Sequence, residues 1–334
     1  MASATENRAV TMKSGDSMVS VVIPCYNSAD DIGEAIESVL RQTRDEYVQE
    51  IIVVDDGSAD HSETVIRRWE DRDERVRYIY QENQGPSVAR NQGVSEASSS
   101  LISFLDADDV WKPGKLEAQV PFLRNHPDVA LLCSDYIEEE NGNRRRIWAK
   151  HLNYRQDDLL ESLYLHGGPV MMSTVVLRKQ VFEEVGGFDP AIPKGQDTDL
   201  WLRIATEHPI HHLPTPLIVK RVREESVSSD MVEKVQYLRR IADRFAEKYS
   251  RLAPLRDRRH GILSELLARH WLLQGDKRQA RSEAIQAVRK HPSSARALLL
   301  AVLSALPFSS EWLEKILDGL GRIRGILAGL KTIA

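Results

Sequence analysis

Three carboxylates lie within four residues at the end of an apolar run, because the segment ISFLDADDVW (102–111) contains Asp106, Asp108 and Asp109. Carboxylates this close repel one another and raise each other's pKa unless a positive group lies between them. Hard cations such as Mg²⁺ prefer oxygen ligands of this kind. Asp is also common in turns that cap a following helix. The segment therefore predicts either a cation site or a capping turn.

The elements around this segment alternate between strand and helix. Apolar runs of strand length occur at 19–24, 50–56, 76–82 and 101–106. The segments between them have helical periodicity, and the first has apolar residues on one face at Ile32, Ile36, Val39 and Leu40. Such alternation favours a parallel sheet that is covered on both faces.

Polar and turn-forming residues follow each of the four strands. Ligands of open α/β sheets bind beyond the carboxyl ends of the strands, so we expect these residues to line one pocket. The chain has neither a G-x-G-x-x-G motif after the first strand nor a G-x-x-x-x-G-K-[ST] motif. A phosphate bound here would therefore be held through a cation rather than by a glycine-rich loop.

The rest of the chain continues as mixed α/β sequence and then becomes helical. A helix is expected after Pro113, followed by a strand and a turn at Asn141-Gly142. The segment 195–208 has an apolar helical face, and Gln196 and Asp197 lie at its start, where the helix dipole favours a carboxylate. From 231 onwards the pattern is helical.

Six segments occur in an order and spacing that resemble the family 2 inverting glycosyltransferases of the GT-A fold. They are VSVVIPCYNSADDIGEAIESVLRQT, IIVVDDGSADHS, NQGPSVARNQGV, ISFLDADDVW, GGFDP and GQDTDLWLR. The resemblance covers about 19–230. It implies an α/β, Rossmann-like sandwich with a mostly parallel sheet, followed by a C-terminal all-α region. The expected division is a disordered tail at 1–17, a GT-A domain at 18–230 and a helical region at 231–334.

The resemblance assigns donor and metal binding to Asp106-Ala107-Asp108. Asp108 resembles the direct ligand of Mg²⁺ or Mn²⁺, and Asp106 resembles the contact to the ribose. A divalent cation would neutralise the charge that develops on a nucleoside diphosphate leaving group. Taken with the other segments, these residues favour the cation site over the capping turn.

The same resemblance implies a cradle for the nucleoside. Pro24 and Tyr26 resemble residues that pack on the base, and Asp56 resembles the acceptor for its imide N–H, which would favour uracil or thymine. Other residues that resemble parts of this cradle are Asn83, Gly85 and Arg90.

Asp197 resembles the general base that deprotonates the acceptor hydroxyl. Gln196 stands where many members have Glu, and Arg223 stands where many have His. An Arg cannot bind a metal, but it can grip a diphosphate. A surface salt bridge is the alternative for Arg223. The chain lacks the Gln-x-x-Arg-Trp motif of processive members, since its nearest segment is Gln236 to Arg240. We therefore expect transfer of one sugar.

Composition limits the partners and the compartment. The net charge of −5 over 334 residues gives no basic field for nucleic acid. The two cysteines, Cys25 and Cys133, lie in apolar runs and are expected to be reduced, which favours the cytoplasm. Residues 1–17 have no apolar core of a signal peptide. The longest apolar stretch, 297–308, is too short for a bilayer, which needs about 20 residues.

The C-terminal region resembles one tetratricopeptide unit. Small residues and a final proline have the expected spacing at Ala268, Gly275, Ala280, Ala287 and Pro292. A single unit must pack on neighbouring helices or on a partner. A last apolar stripe at 309–330 predicts a helix that packs on the preceding ones or lies peripherally on the inner face of a membrane.

The resemblance to family 2 implies a metal-dependent, inverting, non-processive glycosyltransferase. It would move one sugar from a nucleotide-sugar donor, expected to be a UDP-sugar, to a saccharide or lipid-linked acceptor in polysaccharide or glycoconjugate synthesis. Two alternatives remain at this point: a nucleotidyltransferase on a similar sheet and a non-catalytic binding protein.

Overall fold

The computed structural model describes residues 18–140, 143–147, 159–167, 170–221 and 231–306. These residues form two compact units. The first unit consists mainly of the chain before Glu225, and the second consists mainly of the chain from Glu225 onwards. The expected tail at 1–17 and the expected last helix at 309–330 lie outside the described residues.

The first unit opens with the predicted alternation of strands and helices. The elements in chain order are β1 (Val19–Cys25), α1 (Ile32–Leu40), β2 (Val48–Asp56), α2 (Ser62–Glu70), β3 (Val76–Gln81), α3 (Pro86–Glu96) and β4 (Leu101–Phe104). β1 pairs in parallel with both β2 and β4, and β2 pairs in parallel with β3. Every residue of β4 is buried, and so is nearly every residue of β1 and β2, as expected for strands that are covered on both faces. The predicted parallel sheet is confirmed.

The sheet becomes mixed beyond β4. The remaining elements up to residue 221 are β5 (Val110–Trp111), α4 (Lys115–Asn125), β6 (Leu131–Glu140), β7 (Asn143–Ile147), α5 (Leu159–His166), β8 (Val176–Arg178), α6 (Lys179–Glu184), α7 (Gln196–Glu207) and β9 (Ile210–Arg221). In the described part of the chain, one sheet of nine strands has the order β3-β2-β1-β4-β8-β6-β9-β5, with β7 on β6. β8 runs antiparallel to both β4 and β6.

Apolar side chains pack on both faces of this sheet. Leu101 belongs to the core that packs β1 and β2 against α1. Because side chains alternate along a strand, Phe104 points to the other face. There it lies edge-on to Phe188, with ring centroids 5.4 Å apart, and Phe188 in turn lies edge-on to Trp201 of α7 at 6.4 Å. Cys25 and Cys133 are free and buried, as expected for core thiols.

The second unit is helical, as predicted. Its helices are α8 (Met231–Lys248), α9 (Arg256–Leu273), α10 (Lys277–Lys290) and α11 (Ala295–Ala305). None of the described helices is long and apolar enough to cross a bilayer. Ala268 and Ala280 pack with Leu272 and Leu300 in a small buried core. The assignment of a tetratricopeptide unit stays a prediction.

Most of α5 also belongs to the second unit. The Tyr164 hydroxyl donates to the Ala242 carbonyl at 3.0 Å, and Arg259 Nη1 donates to the Leu165 carbonyl at 2.7 Å. These hydrogen bonds join α5 to α8 and α9, which lie far from it in sequence. The second unit therefore includes most of a helix that precedes the boundary expected at residue 231.

Replacement of Gly93 tests how closely α3 approaches β1. A Cβ at Gly93 would lie 2.3 Å from Val22 Cγ1, whereas one at Gly33 would meet Trp69 Nε1 at 3.4 Å, an ordinary contact. We expect Gly93→Ala to lower the free energy of unfolding by about 1–3 kcal/mol, because overpacking outweighs the better helix propensity of alanine. Gly33→Ala is the matched control and should change it by less than about 1 kcal/mol. Urea denaturation measures the free energy of unfolding of both variants. If Gly93→Ala and Gly33→Ala lowered it equally, the close approach of α3 to β1 would be contradicted.

Candidate active site

A cavity of about 490 Å³ lies at the carboxyl ends of β1 to β4. This volume lies within the usual range for small-molecule sites, about 300–1,000 Å³. The donor-site residues predicted from the sequence line it, except Arg223, which lies outside the described residues. Those that line it are Pro24, Tyr26, Asp56, Asn83, Gly85, Arg90, Asp106, Ala107 and Asp108.

The chain after β1 is fixed by contacts with the chain after β2. Asn27 has a positive φ of 49°. Its backbone N–H donates to Ser58 Oγ at 2.9 Å, and its Oδ1 accepts from the Ala59 N–H at 2.8 Å. Tyr26 beside it is 54% exposed, so its ring is available to a ligand in the cavity.

Asp56 organises the loop after β3. Its Oδ1 accepts from Gln81 Nε2 at 2.7 Å and from the Gln84 N–H at 2.9 Å, and its Oδ2 accepts from the Gly85 N–H at 2.8 Å. Gly85 has a φ of 88°, a conformation that favours glycine. An ionised carboxylate has about four acceptor positions, so one remains for a ligand.

The loop after β4 is held by a residue that precedes β8. The Asp106 N–H donates to Ser173 Oγ at 3.1 Å, and the Ser173 hydroxyl donates to Asp109 Oδ2 at 2.5 Å. The Trp111 indole N–H donates to the Ser173 carbonyl at 3.1 Å. Ser173 could not be predicted as a site residue, because no motif marks it and its partners are more than 60 residues away in sequence.

Arg90 neutralises one carboxylate of this loop. Its Nη2 donates to Asp106 Oδ1 at 2.7 Å, and its side chain is only 8% exposed. Among the described residues, its Nε and Nη1 have no hydrogen-bond partner. A buried guanidinium favours further acceptors, so Arg90 has unused donor capacity at the wall of the cavity.

Negative charge remains in excess around Asp108. Burial raises the pKa of Asp108, and the charge of Asp106 raises it further. The pKa of Asp109 is raised to about 8 by burial and by the same neighbour. No other described residue donates a hydrogen bond to the Asp108 carboxylate, which is therefore available to a cation. Within the described residues, no group of three or more His, Cys, Asp or Glu side chains could hold a metal alone.

Asp197 lies outside the residues that line the cavity. It is the second residue of α7 and is half-buried, and its Oδ1 accepts from the Thr198 N–H at 2.7 Å. Asp199 differs, because it is 1% exposed and paired with Arg203 at 2.9 Å. Asp197 thus accepts from the neighbouring Thr198, whereas Asp199 is paired with a guanidinium, although both lie in the first turn of α7.

The chain matches the family described as glycosyl transferase family 2 over residues 20–186. An uncharacterized glycosyltransferase of Rickettsia conorii is 36% identical over 222 residues. That match covers 63% of this chain and 35% of the relative, so the chain spans about a third of the relative's length.

Two solved structures are similar in fold. Residues 1–349 of S. aureus TarS, in complex with UDP-GlcNAc, are 19% identical with a TM-score of 0.59, covering 85% of this chain and 83% of that one. The mannosyltransferase PcManGT from Pyrobaculum calidifontis, in complex with GDP-Man and Mn²⁺, is 19% identical with a TM-score of 0.58, covering 94% and 86%. These similarities confirm the GT-A type of fold.

Replacement of Asp56 tests its part in forming the cavity wall. Asp56→Asn keeps the size of the side chain but replaces one carboxylate oxygen with an NH₂ group. That NH₂ would face an N–H group that now donates to the carboxylate. We expect the free energy of unfolding to fall by about 1–3 kcal/mol, the usual cost of an unsatisfied buried group. The backbone amides of Gln84 and Gly85 should also exchange hydrogen for deuterium faster. Asp30→Asn, at an exposed position, is the control. Unchanged exchange at Gln84 and Gly85 would contradict the role of Asp56.

Proposed function

The chain belongs to glycosyl transferase family 2, and we propose that it moves one sugar from a nucleotide-sugar donor to an acceptor hydroxyl with inversion at the anomeric carbon. The observation that carries this proposal is that Asp56, Arg90, Asp106 and Asp108 line one and the same cavity. Family membership favours glycosyl transfer over the nucleotidyltransferase and the non-catalytic binding protein.

The nucleoside would bind at the β1 and β2 side of the cavity. The exposed ring of Tyr26 supplies a flat apolar surface beside Pro24. The remaining acceptor position of Asp56 suits an imide N–H, because its other positions are taken by Gln81, Gln84 and Gly85. Uracil offers such a group, and a UDP-sugar is therefore the donor we propose. The similar structure of TarS contains UDP-GlcNAc, which supports a donor of this class.

The diphosphate would bind between Arg90 and Asp108, together with Mg²⁺ or Mn²⁺. The residues fit such a cation, because the Asp108 carboxylate accepts from its own backbone N–H but not from another described residue, and because burial beside Asp106 makes its charge costly without a counter-ion. Mg²⁺ is usually held by one or two carboxylates together with substrate phosphates, which agrees with the absence of a larger ligand group among the described residues. A bound cation would neutralise the leaving diphosphate. Arg90, with two unpartnered donors, would bind a ligand oxygen.

Asp197 is our candidate for the general base. It is half-buried in the first turn of α7, and its carboxylate is not paired with a cationic side chain of the described residues. Asp199, the nearest alternative, is engaged with Arg203 and is therefore a poor proton acceptor. Arg223, outside the described residues, remains a candidate contact for the diphosphate. The proposed acceptor is a saccharide or a lipid-linked saccharide, reached in the cytoplasm or at the inner face of a membrane.

The experiment that tests this function is a screen for release of nucleoside diphosphate. The full chain is incubated with UDP-GlcNAc, UDP-glucose, UDP-galactose and GDP-mannose, each with Mn²⁺ and with EDTA, and products are identified by mass spectrometry. We expect Mn²⁺-dependent release of UDP from at least one donor. If EDTA does not reduce the release of UDP, the proposed dependence on a divalent metal is wrong. If no donor releases its nucleoside diphosphate, the proposed donor class is wrong.

Asp108→Asn tests the cation site independently of turnover. The amide keeps the shape of the side chain but removes the charge that a hard cation requires. We expect calorimetry to show that Mn²⁺ no longer increases the affinity for UDP, whereas in the unchanged protein it does. Asp128→Asn, at an exposed position, is the control for a general change in charge. Equal enhancement by Mn²⁺ in the unchanged protein and in Asp108→Asn would overturn the metal assignment.

Asp197→Asn tests the general base. The variant keeps an oxygen that can accept from the Thr198 N–H, so it should fold and bind UDP with unchanged affinity. Because an amide cannot accept the proton of the acceptor, we expect the rate of sugar transfer to fall by about 10²- to 10⁴-fold. Donor affinity is measured by calorimetry and transfer by product formation. Transfer within about tenfold of the unchanged protein would show that another residue is the base.

A further inference from the structure

The turn Gly186–Phe188 lies between the helix that carries Arg90 and the helix that carries Asp197. Gly186 and Gly187 have positive φ values of 86° and 65°. A Cβ at Gly187 would lie 2.9 Å from Asn91 Oδ1 and 3.0 Å from the ring of Phe182. The turn is therefore a tightly packed element whose shape depends on two consecutive glycines.

Asn91 of α3 forms two hydrogen bonds with this turn. Its Nδ2 donates to the Phe188 carbonyl at 2.8 Å, and its Oδ1 accepts from the Phe188 N–H at 2.9 Å. Both backbone groups of Phe188 are thus bound by one side chain. The preceding residue on α3 is Arg90, whose side chain pairs with Asp106 at 2.7 Å and lies 5.6 Å from the centre of the Phe188 ring.

Arg203 of α7 donates hydrogen bonds to the same turn and to the residue just before it. Its Nη1 donates to the Val185 carbonyl at 2.5 Å, and its Nη2 donates to the Gly187 carbonyl at 2.6 Å. Its Nε donates to Asp199 Oδ2 at 2.9 Å, so the planar guanidinium is fixed in direction. Asp199 lies two residues after Asp197 in the first turn of α7.

We propose that Asn91 and Arg203 are positioning residues. Through the Gly186–Phe188 turn, they fix the position of α7, and with it that of Asp197, relative to the donor cavity. This inference rests on the proposed function of the cavity and of Asp197. Neither residue lines the cavity. Since Asp197 does not line it either, the place of its carboxylate depends on what holds α7. A displacement of about 1 Å in a reacting group can cost about 10²-fold in rate.

Two conservative variants test the proposal. Asn91→Asp keeps Oδ1 but replaces the NH₂ donor with an oxygen that faces the Phe188 carbonyl. Arg203→Lys keeps the charge but cannot bind two carbonyls and Asp199 in a fixed fork. For each variant we expect kcat for UDP release from the most reactive UDP-sugar to fall by about 10- to 100-fold, while the Kd for UDP with Mn²⁺ stays within about threefold.

Three comparisons separate positioning from general damage. Gln92→Glu makes the same amide-to-acid change one residue further along α3, where the Gln92 amide lies 3.3 Å from the exposed Glu96 carboxylate, and should leave kcat unchanged. Arg41→Lys, at a side chain that is 73% exposed, is the control for Arg203→Lys. Because both residues act through one turn, the double variant should lose little more kcat than the worse single variant.

Hydrogen exchange gives a readout that does not need turnover. We expect the backbone amides of 187–199 to exchange at least about fivefold faster in both variants, with unchanged exchange at 101–109. The proposal is overturned if kcat stays within about twofold of the unchanged protein, if the Kd for UDP rises in parallel with the loss of kcat, or if exchange at 187–199 is unaffected. If the unchanged protein releases no UDP, the proposed function fails, and the exchange measurement alone decides whether the turn is held as described.

Discussion

Repulsion among the carboxylates after β4 is the constraint on which the site depends. Asp106, Asp108 and Asp109 lie in one partly buried loop, and their proximity would disfavour the fold if each were ionised without a partner. The structure meets the constraint in two places, since Arg90 pairs with Asp106 and the Ser173 hydroxyl binds Asp109. Asp108 is left without such a partner among the described residues, and its raised pKa is the physical mark of a position that a cation would stabilise.

The order of the strands explains how these partners reach the loop. β1 to β4 are parallel, so their carboxyl ends meet at one edge and bring together segments that are far apart in sequence. β8 runs antiparallel to β4, with Leu101 opposite Arg178 and Ser103 opposite Val176. The amino end of β8 therefore lies beside the carboxyl end of β4. Continuing that register places Ser173 opposite Asp106, which is where the two residues form their hydrogen bond.

Much of this arrangement could be predicted from local patterns. The buried strands are continuous apolar runs, and the residues at their ends form recognisable segments, so the parallel half of the sheet and the lining of the cavity followed from the sequence. The antiparallel direction of β8 did not follow, because strand direction depends on pairing and not on composition. The two-residue β5 was not predicted either. Ser173, Asn91 and Arg203 were missed for a related reason. They bind backbone groups or side chains of distant segments, and a polar residue with such a partner looks like any exposed polar residue in the sequence.

Asp197 and Asp199 both lie in the first turn of α7, but their side chains have different contacts. Residues two positions apart in an α-helix point about 200° apart around its axis, so Asp197 and Asp199 face different sides. Asp199 faces Arg203, one helical turn further on, and helps to fix the guanidinium that binds the Val185 and Gly187 carbonyls. Asp197 faces away from that pair, and its Oδ1 accepts from both the backbone N–H and the hydroxyl of Thr198 within its own helix. Asp199 therefore helps to hold the helix to the turn at Gly186–Phe188 through Arg203, whereas Asp197 takes no part in that contact. Since the donor cavity is built from β1 to β4 and the candidate base from α7, a catalytic geometry requires a rigid connection between them. The Gly186–Phe188 turn contacts both α3, which carries Arg90, and α7, which carries Asp197.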